Sequence, residues 1–166
     1  MPASGKSFCG ALLAKKLHRP LVDLDDYIQQ ITGKSIAEIF ADGETYFRQL
    51  EQEALHHLLS HTQLPSVLSM GGGTVAYSNN VEVMQQNGQI LYLDVPIPEL
   101  IRRMQKEPEI RPLWQYSKNL QQDLQQIYKQ RAPYFNKADW RIENCERATL
   151  DNFVQMYQHY LLLNHG

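Results

Sequence analysis

An α/β fold, a parallel sheet covered by helices on both faces, is predicted from two observations. Short apolar runs alternate with longer amphipathic stretches along the 166-residue chain, the order that a parallel sheet imposes. The distinctive polar groups follow the ends of those short runs, where such sheets place their ligands. Asp23 and Asp25 follow one run, and Gly71-Gly72-Gly73 follows another.

The elements read in order as follows. Residues 6–17 form a helix, with Phe8, Leu12 and Leu13 inward and Lys15-Lys16 near its C-terminal end, where cations meet the helix dipole favourably. Pro20 to Asp23 is a short buried strand. Residues 25–32 and 35–41 are two short helices broken at Thr32-Gly33, and Ser35 with Glu38 makes a capping box. Residues 44–60 are amphipathic, with Phe47, Leu50, Ala54, Leu55 and Leu58 at helical spacing. Ser66 to Ser69 is a strand that stops at the glycines. Residues 79–87 are helical, Gln89 to Leu93 is a strand, and a helix starts at Pro98 and runs to Met104. Residues 105–116 are polar and carry Pro108 and Pro112, the composition of a loop. Residues 117–130 are helical, 139–142 are a last strand, and 147–163 are a terminal helix with Leu150, Phe153, Val154, Tyr157 and Leu161 on its apolar face.

Size and charge narrow the function classes. The length fits one domain, residues 1–166, with a sizeable core. Sixteen basic against eighteen acidic side chains argue against bulk binding to nucleic acid or an anionic membrane. No apolar run approaches the roughly 20 residues of a membrane helix, and no stretch resembles a signal peptide. Cys9 and Cys145 are far apart and match no metal spacing, so two reduced thiols in a cytoplasmic protein are expected. The histidines form no metal-binding array, and a monomer is expected.

The chemistry starts at Gly5-Lys6-Ser7, which opens a helix as the second half of a G-x-x-x-x-G-K-[ST] loop does. The first glycine of that pattern would fall one residue before Met1, and the strand that feeds such a loop would precede it. Helix N-termini attract phosphate. Lys6 would reach the β- and γ-phosphates, and the Ser7 hydroxyl would ligate Mg²⁺. Asp23 and Asp25 share one side if the backbone stays extended. One would hold Mg²⁺ through water, and the other would accept a bond from a substrate hydroxyl as base or positioner. Capping of the next helix by Asp25 or Asp26 is the structural alternative for one of the aspartates. Arg48 and Glu51 share a helix face at i,i+3, either as a solvated ion pair or as a fork held to grip a carboxylate. Three consecutive glycines exceed what a tight turn needs and let a small molecule approach the backbone. Arg111 and Arg131 are surface arginines unless a loop closes one of them over phosphate.

Taken in order, these residues resemble the shikimate kinase family. The likeness spans nearly the whole chain: Gly5-Lys6-Ser7, Asp23-Leu24-Asp25, Gly43 through Phe47-Arg48 to Glu51, Gly71-Gly72-Gly73, Arg111-Pro112-Leu113, and Arg131 with Tyr134. The resemblance implies a three-layer P-loop kinase sandwich on a five-stranded parallel sheet, with the first strand missing from this chain, and a lid at about 105–117. It implies transfer of the ATP γ-phosphate to the 3-hydroxyl of shikimate, on the route to chorismate and the aromatic amino acids. Ser4, Gly5, Lys6, Ser7, Phe8, Arg111 and, loosely, Arg147 would contact ATP. Asp25, Arg48, Gly71, Gly72, Gly73 and Arg131 would bind shikimate. Ser7 and Asp23 would hold Mg²⁺, and Lys6, Asp25 and Arg111 would be catalytic. The alternatives are a related kinase for a polyol acid such as gluconate, or a nucleotide-binding module without catalysis.

Overall fold

A computed structural model describes residues 1–61, 64–106 and 117–164. Helix α1 (Lys6–Leu17) leads to strand β1 (Leu21–Asp23), which passes directly into α2 (Leu24–Thr32). Helices α3 (Ile36–Ala41) and α4 (Glu44–His61) complete the first half. Then come β2 (Val67–Ser69), a 3₁₀ turn at Thr74–Ala76, α5 (Asn80–Asn87), β3 (Leu91–Leu93) and α6 (Ile97–Lys106). The chain closes with α7 (Leu120–Phe135), β4 (Trp140–Ile142) and α8 (Arg147–Asn164).

Local chemistry explains most boundaries. Ser35 accepts from the Glu38 N–H while the Glu38 carboxylate accepts from the Ser35 N–H, the reciprocal box that starts α3. Gly33 closes α2 at φ 67°, a left-handed position that favours glycine. Three readings are corrected. The cap of α2 is Asp23, not Asp25 or Asp26: the Asp23 side chain accepts the Asp25 N–H at 3.0 Å. Phe8 is 64% exposed, because α1 buries Cys9, Gly10, Leu13 and Ala14 instead. Helix α7 starts at Leu120 and runs through Pro133 to Phe135, so Arg131 is helical. Pro133 removes one N–H from the last turn, two residues before α7 ends.

The strands are all parallel but form two pairs. β1 pairs with β2 from Leu21 opposite Val67, and β3 pairs with β4 from Leu91 opposite Trp140. Among the described residues no ladder joins the pairs. Between them lies a cavity of about 870 Å³, lined by Val67, Leu68 and Ser69 on one pair and Leu91, Tyr92 and Leu93 on the other. Two apolar clusters flank it. One gathers Leu24, Ile28, Ile39, Phe47, Leu55, Leu100 and Leu124 under α2 to α7. The other gathers Cys9, Leu13, Leu150, Phe153, Val154 and Tyr157 between α1 and α8.

Edges of β2 and β3 form two of the walls of that cavity, so it should accept one more parallel strand. An apolar extension of about six residues joined before Met1, a common strand length, should raise the melting temperature. Each apolar side chain it fully buries is worth about 1.5–3 kcal/mol. Equal melting curves for the extended and unextended chains would show that the cavity does not take a strand.

Candidate active site

The loop before α1 is shaped to receive an anion. Gly5 caps α1 at φ 86°, in the left-handed region, with no side-chain bond to the first turn. The first-turn N–H groups therefore lack intrahelical partners, and the helix dipole adds positive potential. Ala3, at φ 51°, adds a second left-handed residue to the loop. Ser4 is almost fully buried, and its hydroxyl has no hydrogen-bond partner among the described residues. Arg103 on α6 donates to the Ser4 carbonyl at 3.1 Å and the Ala3 carbonyl at 3.4 Å, and its Nε is held by Glu99 at 2.7 Å. Hydrogen bonds from Arg102 and Arg103 hold the Glu99 carboxyl at a pKa of about 2. Sequence reading missed Arg103, since an Arg-Arg pair on an amphipathic helix looks like solvated surface.

Beside this loop the Ser7 hydroxyl donates to Asp23 Oδ2 at 3.1 Å. Two hard oxygen donors from different elements thus converge next to the anion site, which suits Mg²⁺. Among the described residues no group of three His, Cys, Asp or Glu side chains gathers. The pair accordingly fits an ion that completes its shell with water and phosphate oxygens, as Mg²⁺ does. Asp25 lies in the first turn of α2, two residues past the strand end, so the extended-strand placement is replaced by a helical one. Its charge still reaches Glu51 and pushes that carboxyl up.

The second half of the site is built on α4. Glu51 is 1% exposed and accepts from Arg48 Nη1 at 2.7 Å and from the Thr74 hydroxyl at 2.6 Å. Burial raises the Glu51 pKa above the ordinary glutamate value, against the opposing pull of Arg48 and Thr74. Arg48 also meets Glu44 at 3.3 Å, and its guanidinium lies over the Phe47 and Phe40 rings at 5.1 and 6.0 Å. This is a buried, oriented pair rather than a solvated one. A cavity of about 410 Å³ is lined by Arg48, Gly73, Tyr77, Arg131 and Tyr134, so the extension of α7 puts the second arginine on the same cavity as the first.

The three glycines each face a different neighbour. A Cβ on Gly71 would lie 2.9 Å from Glu51 Oε1, one on Gly72 would lie 2.4 Å from the Met1 nitrogen, and one on Gly73 would lie 2.6 Å from Arg48 Nη2. Close protein packing thus accounts for the run as directly as close approach of a ligand.

Lys6 begins α1 and lines the large cavity. Arg147 begins α8 with its side chain 91% exposed, 3.9 Å from Asp151. Phe8 projects into solvent from the first turn of α1. Arg111 and most of the expected lid lie outside the described residues. Cys9 and Cys145 meet after all. Both are free thiols; the Cys9 thiol hydrogen-bonds to Cys145 and is pushed up by that hydrogen bond and by burial, whereas Cys145 is lowered by the hydrogen bond and by Arg103.

The glycine contacts yield an ordering. Gly72→Ala should destabilise the fold by about 1–3 kcal/mol, the usual cost of overpacking, because its Cβ would meet backbone. Gly73→Ala should cost less, because a guanidinium can swing aside. Thermal melts of the two variants test this, and a larger loss for Gly73→Ala would contradict the packing described.

The profile of the shikimate kinase family (SKI) matches residues 2–161. A shikimate kinase of Clostridium botulinum (strain Alaska E43 / Type E3) is 33% identical over 164 residues, covering 99% of this chain and 94% of that protein. One of Synechococcus elongatus is 44% identical over 140 residues, covering 84% of this chain and 71% of the other. Among solved structures, the shikimate kinase from Acinetobacter baumannii in complex with shikimate superposes with a TM-score of 0.83 at 32% identity, covering 98% of this chain and 90% of that one. The Bacteroides thetaiotaomicron shikimate kinase gives 0.84 at 31% identity, covering 96% and 93%.

Proposed function

Because the chain belongs to the shikimate kinase family, we propose that its two half-sites bind ATP and shikimate for transfer of the γ-phosphate to the 3-hydroxyl of shikimate. The observation that carries this reading is the cavity that Arg48 on α4 and Arg131 on α7 both line. Two guanidinium groups, one of them held by a buried carboxylate, match the geometry of a substrate carboxylate.

The division of labour follows the two halves. The first-turn N–H groups of α1 and Lys6 receive the phosphates, and Arg103 fixes the loop carbonyls beneath them. The unpartnered Ser4 hydroxyl turns to the same anion. Ser7 and Asp23 would hold Mg²⁺, which when bound supplies charge neutralisation at the β- and γ-phosphate oxygens. Asp25 accepts the proton of the shikimate hydroxyl as its oxygen bonds to phosphorus and the bond to ADP breaks. Charge developing on the leaving ADP is met by Lys6 and the helix N-terminus. Arg111 is assigned to the transferring phosphate on sequence alone, and Arg147 to the nucleotide base. Gluconate phosphorylation is not favoured, since the relatives are shikimate kinases and a gluconate kinase does not call for Arg48, the glycines and Arg131 together.

Two substitutions test the halves separately. Lys6→Met should abolish nearly all ADP release with shikimate, and near-normal turnover would remove the P-loop role. Arg48→Ala should raise the shikimate KM with little effect on that for ATP, by about 2–5 kcal/mol, since an ion-pair partner is left buried. An unchanged shikimate KM would make Arg48 a structural residue only. Preference for gluconate over shikimate in the same assay would reverse the substrate assignment.

A further inference from the structure

We propose that Thr74 is a positioning residue for shikimate, fixing the aim of the Arg48 fork through Glu51. The inference deepens the preceding reading and rests on Arg48 gripping the substrate carboxylate. Thr74 is fully buried at the start of the 3₁₀ turn. Its hydroxyl donates to Glu51 Oε1 at 2.6 Å, while Arg48 holds Oε2 at 2.7 Å. A carboxylate pinned at both oxygens cannot rotate about its last bond, so the plane it offers to the guanidinium is fixed. Gly71 walls the same oxygen, since a Cβ there would lie 2.9 Å from Oε1 and 3.2 Å from the Thr74 hydroxyl.

Thr74 is itself anchored. Its carbonyl accepts from Asn80 Nδ2 at 2.8 Å, and Asn80 is fully buried with its Oδ1 unpartnered among the described residues. The buried chain therefore runs from Arg48 through Glu51 and Thr74 to Asn80. Burying such groups costs free energy that well-packed apolar side chains of equal volume avoid. What the chain supplies in return is orientation at the rim of the 410 Å³ cavity that Arg48 lines. Burial pushes the Glu51 carboxyl up, with Arg48 and then Thr74 pulling it down and Asp25 on α2 pushing it up. Glu44 reaches Arg48 from the start of α4. Removing the Thr74 hydroxyl leaves Oε1 without that donor and makes Glu51 take up a proton at higher pH. Neutral Glu51 no longer holds Arg48 by charge, so shikimate binding weakens as pH falls.

The test is steady-state kinetics of Thr74→Val and Thr74→Ser across pH, beside Arg48→Ala. Valine keeps the shape and loses the hydroxyl, whereas serine keeps the hydroxyl. Thr74→Val should raise the shikimate KM about tenfold, the effect of one lost hydrogen bond to a charged group, and leave the ATP KM within about twofold. Its acid limb of kcat/KM for shikimate should move to higher pH, and Thr74→Ser should restore both readouts. Should Thr74→Val not fold, Thr74→Ala gives the same comparison. A normal shikimate KM and acid limb in Thr74→Val, or a serine variant as impaired as valine, overturns the inference while Arg48→Ala still supports the shared reading. An unaffected Arg48→Ala overturns both.

Discussion

The buried carboxylate of Glu51 is the constraint on which the substrate half depends. A charge at 1% exposure survives only with partners, and each partner specifies another piece of structure. Arg48 must lie one helical turn before it on α4. The chain after β2 must bring a hydroxyl to its other oxygen, and Thr74 does so. The turn between them runs close to both side chains, since a Cβ on Gly71 would lie 2.9 Å from Glu51 Oε1 and one on Gly73 2.6 Å from Arg48 Nη2, so glycine there lets the pair keep its place. The motifs F-R-x-x-E and G-G-G thus describe two sides of one contact.

The nucleotide half is organised differently. Its positive potential comes from a helix end and its oxygens from two chain segments, Ser7 on α1 and Asp23 at the close of β1. Asp23 has two tasks, since one oxygen accepts the Ser7 hydroxyl and the other caps α2. That capping begins α2 immediately after the strand and so turns Asp25 into a helical residue. The sequence offers the cap to Asp25 or Asp26; the structure gives it to Asp23, whose second oxygen still meets the Ser7 hydroxyl.

Much of this was legible in the chain because it is local. Helix starts, the Ser35 box, the loop tail at Gly5-Lys6-Ser7 and the Arg48–Glu51 spacing depend on residues within one turn of each other. What failed depends on distant packing. Apolar residues lie on several sides of α1, so periodicity placed Leu13 inward correctly but could not tell that Cys9 faces the core and Phe8 the solvent. Pro133 reads as a helix breaker, yet α7 needs only one more turn and carries Arg131 with it. Thr74 and Arg103 belong to no pattern, since one hydroxyl and one arginine acquire meaning only from what lies across from them.

The division of the strands into two pairs changes where the molecule holds its backbone protons most tightly. In a continuous parallel sheet the central amides are the last to trade hydrogen for deuterium, because both neighbours shield them. Among the described residues β2 and β3 each have one strand neighbour and face the same cavity. The slowest-exchanging amides then belong to the buried turns of helices such as α4 and α8, around Leu55 and Leu150. The most durable part of the backbone is moved from the middle of the sheet to the helical layers on either side.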